Sequence, residues 1–186
     1  MTTTTRNIIE ELKRAATEQG AGEAVRTIAG PALETWMRAL DGKDADPERL
    51  DDLATLMTAR LSIRDAALIA AVEPKLDTAA RPHASNNKTL LTETLNAAFG
   101  DPHIRPDETR LARAVREACA MADRARKHGG PVAQPYALAA YLAWWDGDGK
   151  AATLAAIAAL DDDPETSLAI MVAAMAASGR YPAYLR

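Results

Sequence analysis

Alanine constrains this chain more than any other residue: there are 42 among 186 positions, against eight aromatic residues. Alanine has the highest helix propensity of the common residues, so such a composition favours helices. A methyl group buries little area, so each helix carries a thin apolar stripe and gains stability by close approach. The few large side chains must then anchor the packing. No run of alternating β-branched residues calls for a sheet. The expected fold class is all-α, a helical bundle or stacked helical hairpins, with either one sizeable core or one core plus a helical extension.

The charge balance is mild, with a net charge of −4 and a pI near 5.4, and gives no sign of general affinity for nucleic acid or anionic membranes. No apolar run reaches the roughly 18–20 residues of a transmembrane helix, and the first six residues lack the apolar core of a signal peptide. The single cysteine, Cys119, leaves no internal disulfide to form. These features predict a cytoplasmic protein with no membrane partner.

Local signals place the helices. Asn7, with Glu10 three residues on, opens a helix carrying Ile8, Ile9, Leu12 and Ala16 on one face, ended by Gly20 and Gly22. A second helical stretch reaches Leu40, with a kink or a split into two short helices expected at Gly30-Pro31. Asp46-Pro47-Glu48 sets a cap, a first-turn proline and an acid in order. Ser62, followed by Asp65, is predicted to cap the next helix. The Pro82–Asn87 stretch reads as a loop and the best internal boundary. A helix over 88–99 follows, then a long one from about 106 to 128, then three over about 135–145, 150–160 and 165–178. The expected organisation is an N-terminal helical extension over 1–45 and a helical-hairpin domain over 46–186.

The most specific spacing lies near the C-terminus. Gly147-Asp148, Ala152, Ala159 and Pro164 fall where a tetratricopeptide-type hairpin has them. Gly147 permits the turn, and Ala152 and Ala159 let two backbones approach. Two positions depart: Ala156 stands for the usual large aromatic and Ala140 for the usual glycine. No earlier copy occurs at this period. The segment Tyr136 to Ala152, continuing through Ala158-Ala159-Leu160, Asp163-Pro164 and Leu168-Ala169, also resembles the C-terminal signature of the actinobacterial domain-of-unknown-function family 4192. That signature has two tryptophans three apart, then Gly-Asp-Gly, an alanine-rich helix and Asp-Pro. Tyr141 takes the place of the first tryptophan, and Trp144 matches the second. Arg64-Asp65-Ala66-Ala67-Leu68 resembles an upstream element of the same family. The resemblance covers about Leu50 onwards and implies a bacterial cytoplasmic setting, with no catalytic residues to transfer. Family members carry a further N-terminal part, and any activity residing there is expected to be absent here.

Candidate chemistry is sparse. Asp146-Gly147-Asp148 lacks the glycine and glutamate that a calcium loop needs further on, so it reads as a turn and helix cap. Asp161-Asp162-Asp163 reads as a helix end and the next cap. His83, His103 and His128 show no paired spacing, and Cys119 has no cysteine partner, so neither a metal nor a cofactor is expected. Cys119 sits on an apolar stripe, as a small buried hydrophobe would. Tyr141, Trp144 and Trp145 form the main aromatic cluster, either as core anchors or with one ring lining a partner groove.

Between Arg105 and Lys127 there are seven basic residues and four acids. Arg110, Arg113, Arg116, Arg124 and Lys127 could contact phosphates, although Arg113 with Glu117 and Asp123 with Lys127 can pair along the helix. The favoured functional expectation is a helical protein–protein interaction or scaffold module without catalytic activity, binding a protein partner or itself. The alternative is a nucleic-acid-associated accessory protein using the arginine-bearing helix over 106–128.

Overall fold

A computed structural model describes residues 7–72 and 88–186, with backbone only at 88–91 and 98. The expected boundary loop at Pro82–Asn87 lies outside the described residues. The fold is all-α, and no strand occurs among the described residues.

The N-terminal part begins with α1 (Ile8–Gln19), whose first turn is capped by Asn7 Oδ1 accepting from the Glu10 amide at 3.3 Å. Gly20, at φ +87°, ends it. Gly22, expected to help end α1, instead lies inside the short α2 (Ala21–Ala24). A π-helical turn over Val25–Ala29 leads into α3 (Gly30–Leu40). The expected kink at Gly30-Pro31 is thus absorbed upstream. Pro31 cannot donate a backbone hydrogen bond, and the wider turn accommodates it while the chain stays helical.

Helix α4 (Pro47–Ala59) starts as expected, with Asp46 Oδ1 accepting from the Glu48 amide at 3.0 Å. Helix α5 (Leu61–Val72) does not begin at a Ser62 cap. Arg60 is extended, its carbonyl accepts from the Ile63 amide at 2.9 Å, and the Ser62 hydroxyl is buried inside the helix without a partner. Helix α6 (Lys88–Gly100) is followed by α7 (Glu108–Lys127), capped by Asp107 Oδ1 on the Arg110 amide at 2.9 Å.

Helix α8 (Ala133–Trp145) is the centre of the molecule. Every one of its residues is buried, and it touches α4, α5, α7 and the two helices after it. A helix apolar all round has no solvent face to offer and must be enclosed. Ala137, Ala139, Ala140 and Ala143 let those neighbours approach closely. Its N-terminus has no cap from its own flank. Asp162 instead reaches across to accept from the amides of Val132 and Ala133 at 3.0 and 2.9 Å.

Helices α9 (Gly149–Asp162) and α10 (Ser167–Ala177) complete the stack. The turn between α8 and α9 spans Asp146 to Asp148. Asp148 Oδ1 accepts from the Ala151 amide at 2.8 Å, so this segment is a turn and cap. Ala152, Ala156 and Ala159 face inward, fully buried. The turn before α10 holds Asp163, whose carboxylate accepts from the Glu165 amide, and the helix itself starts only after Thr166.

Gly147 sits at φ +86°, and a Cβ there would lie 3.0 Å from Leu185 Cδ1. Gly147→Ala is therefore expected to cost about 1–3 kcal/mol, read from chemical denaturation. A loss below about 0.5 kcal/mol would show that the left-handed turn is not needed.

The core is continuous from Ile8 to Val172. Helices α1 and α3 pack on α4, and α3 also meets α5 and α7. Trp36 of α3 is fully buried and donates through Nε1 to the Ala67 carbonyl of α5 at 3.0 Å. Residues 7–45 thus share the core with the rest, and no break in packing marks the expected boundary at 45/46.

Candidate functional site

The aromatic candidates lie inside. Tyr141, Trp144 and Trp145 are 5%, 1% and 0% exposed. Adjacent positions on a helix point about 100° apart, so Trp144 and Trp145 are both covered only because α8 is enclosed on several sides. Phe99 of α6 stacks on Trp144 with centroids 5.5 Å apart, and Trp144 meets Trp145 edge to face at 6.2 Å. The C-terminal segment closes the rest. Trp144 Nε1 donates to the Arg180 carbonyl at 2.7 Å, the Tyr184 hydroxyl donates to the Trp145 carbonyl, and Arg186 lies over the Phe99 ring. Burial holds the Tyr141 hydroxyl well above its ordinary range. No ring of this cluster lines a groove, which corrects the expectation of a partner-binding aromatic.

The arginine-bearing helix is also not the free basic face that its sequence suggests. Arg110 is 8% exposed. It pairs with Asp41 and donates through Nη2 to the Ala70 carbonyl at the end of α5, at 3.0 Å. Arg113 donates to the Leu40 carbonyl at 3.3 Å, its guanidinium carbon 2.7 Å from where a Cβ on Gly42 would sit. Arg124 Nε bonds Asp51 at 2.6 Å. Three of the five phosphate candidates thus clamp α7 onto the α3–α4 hairpin.

Arg116 remains outward, 3.7 Å from Glu117, and Lys127 is exposed. The expected pairs along the helix do not form. Glu117 meets Arg116, and Asp123 accepts from the Tyr136 hydroxyl at 2.6 Å. Burial, then that hydrogen bond, pushes the Tyr136 hydroxyl up to about 12.

Charged side chains line each of the open concavities. One of about 390 Å³ lies between the α3–α4 connection and α7, lined by Lys43, Asp44, Arg113, Arg116, Glu117 and Arg124. Its charges of both signs are largely taken by neighbours. Among the described residues no group of three or more His, Cys, Asp or Glu is arranged to hold a metal, and no helix is long and apolar enough to cross a membrane.

Cys119 is partly buried. Burial, then the Asp123 charge, raises its thiol above the ordinary value. Only the thiolate reacts, so at neutral pH its alkylation should run several-fold slower than in denaturant. Equal rates, timed with a maleimide, would contradict the burial.

The exposed groups that stand out are apolar. Leu154 and Ile157 of α9 are 60% and 50% exposed, and Ile170 and Met171 of α10 are 49% and 43% exposed. A scan of sequence periodicity misses them, because both helices are apolar on more than one side. The alanine-rich stripes conceal which side faces solvent.

The fold and its surfaces define an all-α protein of packed helical hairpins with an apolar outer side on its last two helices. No protein-family description, curated protein or solved structure matches the chain.

Proposed function

We propose that this chain is a non-catalytic helical interaction module that holds a protein partner, or a second copy of itself, on the outer sides of α9 and α10. One observation carries the reading: Leu154, Ile157, Ile170 and Met171 are about half exposed on the last two helices of the stack. Helical stacks need polar outer faces on their terminal units to stay soluble, so large apolar side chains exposed on the last two helices favour a covering partner. The tetratricopeptide-like spacing around Gly147 and the likeness to family 4192 belong to this reading, as does a bacterial cytoplasmic setting. The inward-turned arginines weigh against the nucleic-acid alternative, to which they leave only Arg116 and Lys127 as outward cations of the five.

A photo-crosslinking residue in place of Ile170, in cells producing the full chain, tests the proposal. Protein adducts are expected at 170 and not at a control position replacing Lys127. Adducts to nucleic acid at 127, with none to protein at 154, 157, 170 or 171, would sink it.

A further inference from the structure

The sequence of α10 and its flanks favours one occupant for this surface. From Ser167 to Ser178 the chain has no ionisable side chain. Leu168, Ala169 and Val172 turn inward, while Ile170, Met171, Ala174 and Ala177 face solvent. A charge stands at each end: Glu165 before the helix and Arg180 after it. Both are exposed, and neither side chain has a bonding partner among the described residues.

We propose that the occupant is α10 of a second copy, laid antiparallel about a twofold axis near Val172 and Ala173. This rests on the reading that the outer side of α10 is a docking surface. In that arrangement the residues facing one another have numbers symmetrical about the axis. Met171 meets the partner's Ala174, Ser167 meets the partner's Ser178, and Glu165 meets the partner's Arg180, each contact occurring twice. A twofold interface requires a self-complementary patch, and an uncharged centre between one acid and one base is self-complementary only when the helices run antiparallel. Parallel pairing would set Glu165 against Glu165. Antiparallel helices also bring opposite dipole ends together.

Ala174 and Ala177 leave room for the backbones to approach, and Ile170 and Met171 supply the bulk that fills the seam. A charged partner, whether nucleic acid or a strongly acidic or basic peptide, finds nothing to pair with along the centre of the helix. At 1.5 Å per residue and about 10 Å across, α10 presents a strip roughly 16 Å long. Leu154 and Ile157 of α9 are exposed as well. This is a small interface, so the dimer is weak and concentration-dependent.

Sedimentation of the purified full chain over a wide concentration range tests the pairing. The mass should rise from 19.8 kDa towards twice that value. Met171→Glu should hold it at the monomer with an unchanged thermal melt, since the side chain faces solvent. Glu165→Arg and Arg180→Glu should each weaken association about threefold or more, and the double reversal should restore it. A dimer indifferent to Met171→Glu, or single reversals without rescue, would overturn the antiparallel pairing. A monomer at every concentration, with position 170 crosslinking to a different protein, would overturn the second copy and leave the docking reading standing. A monomer with no adduct at 154, 157, 170 or 171 would remove both.

Discussion

Trp145→Ala should destabilise the protein by about 3–5 kcal/mol, the usual cost of deleting a buried indole. For a chain of this size that is a fall of roughly 6–20 °C in Tm. The ring is fully buried at the C-terminal end of α8 and touches Tyr141 and Trp144 of the same helix and Tyr184 of the C-terminal segment, so its loss opens a cavity between them. A finer comparison separates packing from hydrogen bonding. The Trp145 Nε1 is buried without an acceptor, whereas Trp144 Nε1 donates to the Arg180 carbonyl. Trp145→Phe removes volume and one unsatisfied donor. Trp144→Phe removes volume and strands a carbonyl. The second should cost about 1 kcal/mol more than the first. Equal losses in urea melts would mean that the Arg180 contact contributes nothing, and a Trp145→Ala protein as stable as wild type would place that ring at the surface.

The second large effect is at Arg110. Its guanidinium bridges Asp41 and the last turn of α5, and it is nine-tenths buried while Asp41 is 40% exposed. Breaking a fully buried pair costs about 3–5 kcal/mol, and the exposure of Asp41 brings the expected loss for Arg110→Ala down to about 2–3 kcal/mol. Arg116→Ala, on the solvent side of the same helix, should change stability by less than about 0.5 kcal/mol. If the two substitutions behave alike, α7 is not clamped as described.

The pair also has a pH signature. Burial works to raise the Asp41 carboxyl, but the Arg110 hydrogen bond and charge, aided by Lys43, bring it below its ordinary value. A carboxyl that ionises more readily when folded stabilises the fold above its unfolded value of about 3.9, and that contribution disappears as pH falls through the lower folded value. Acid unfolding of Arg110→Ala should therefore be less steep below about pH 4 than that of the parent.

Several elements were legible from residues a few positions apart. The caps at Asn7, Asp46 and Asp148 were visible because a short polar side chain bonds an amide two or three residues on. The all-α class followed from alanine and from the absence of alternating strands. The helix bounds near 88–100 and 133–177 came from glycine, proline and the apolar stripes between them.

What was misread depended on partners remote in sequence. Ser62 has the look of a cap, yet the carbonyl at Arg60 takes that role once α4 and α5 pack together. Asp162, read as part of a helix end, caps α8 some thirty residues away.

By itself, then, the sequence determined helix content, most helix starts and the close approach of α8 and α9, because propensity, capping and alanine spacing act within a turn or two of the chain. Only the tertiary structure decided which charges face water. Arg110, Arg113 and Arg124 share a helix with Arg116, and nothing in their spacing tells them apart. They turn inward because Asp41, Leu40 and Asp51 meet them from another hairpin. The same holds for Trp144 and Trp145, which are core because α6 and the C-terminal segment close over them. It holds for Ile170 and Met171, which are surface because no described element packs on that side of α10. Burial is a property of pairs of elements, and one stripe of residues does not carry it.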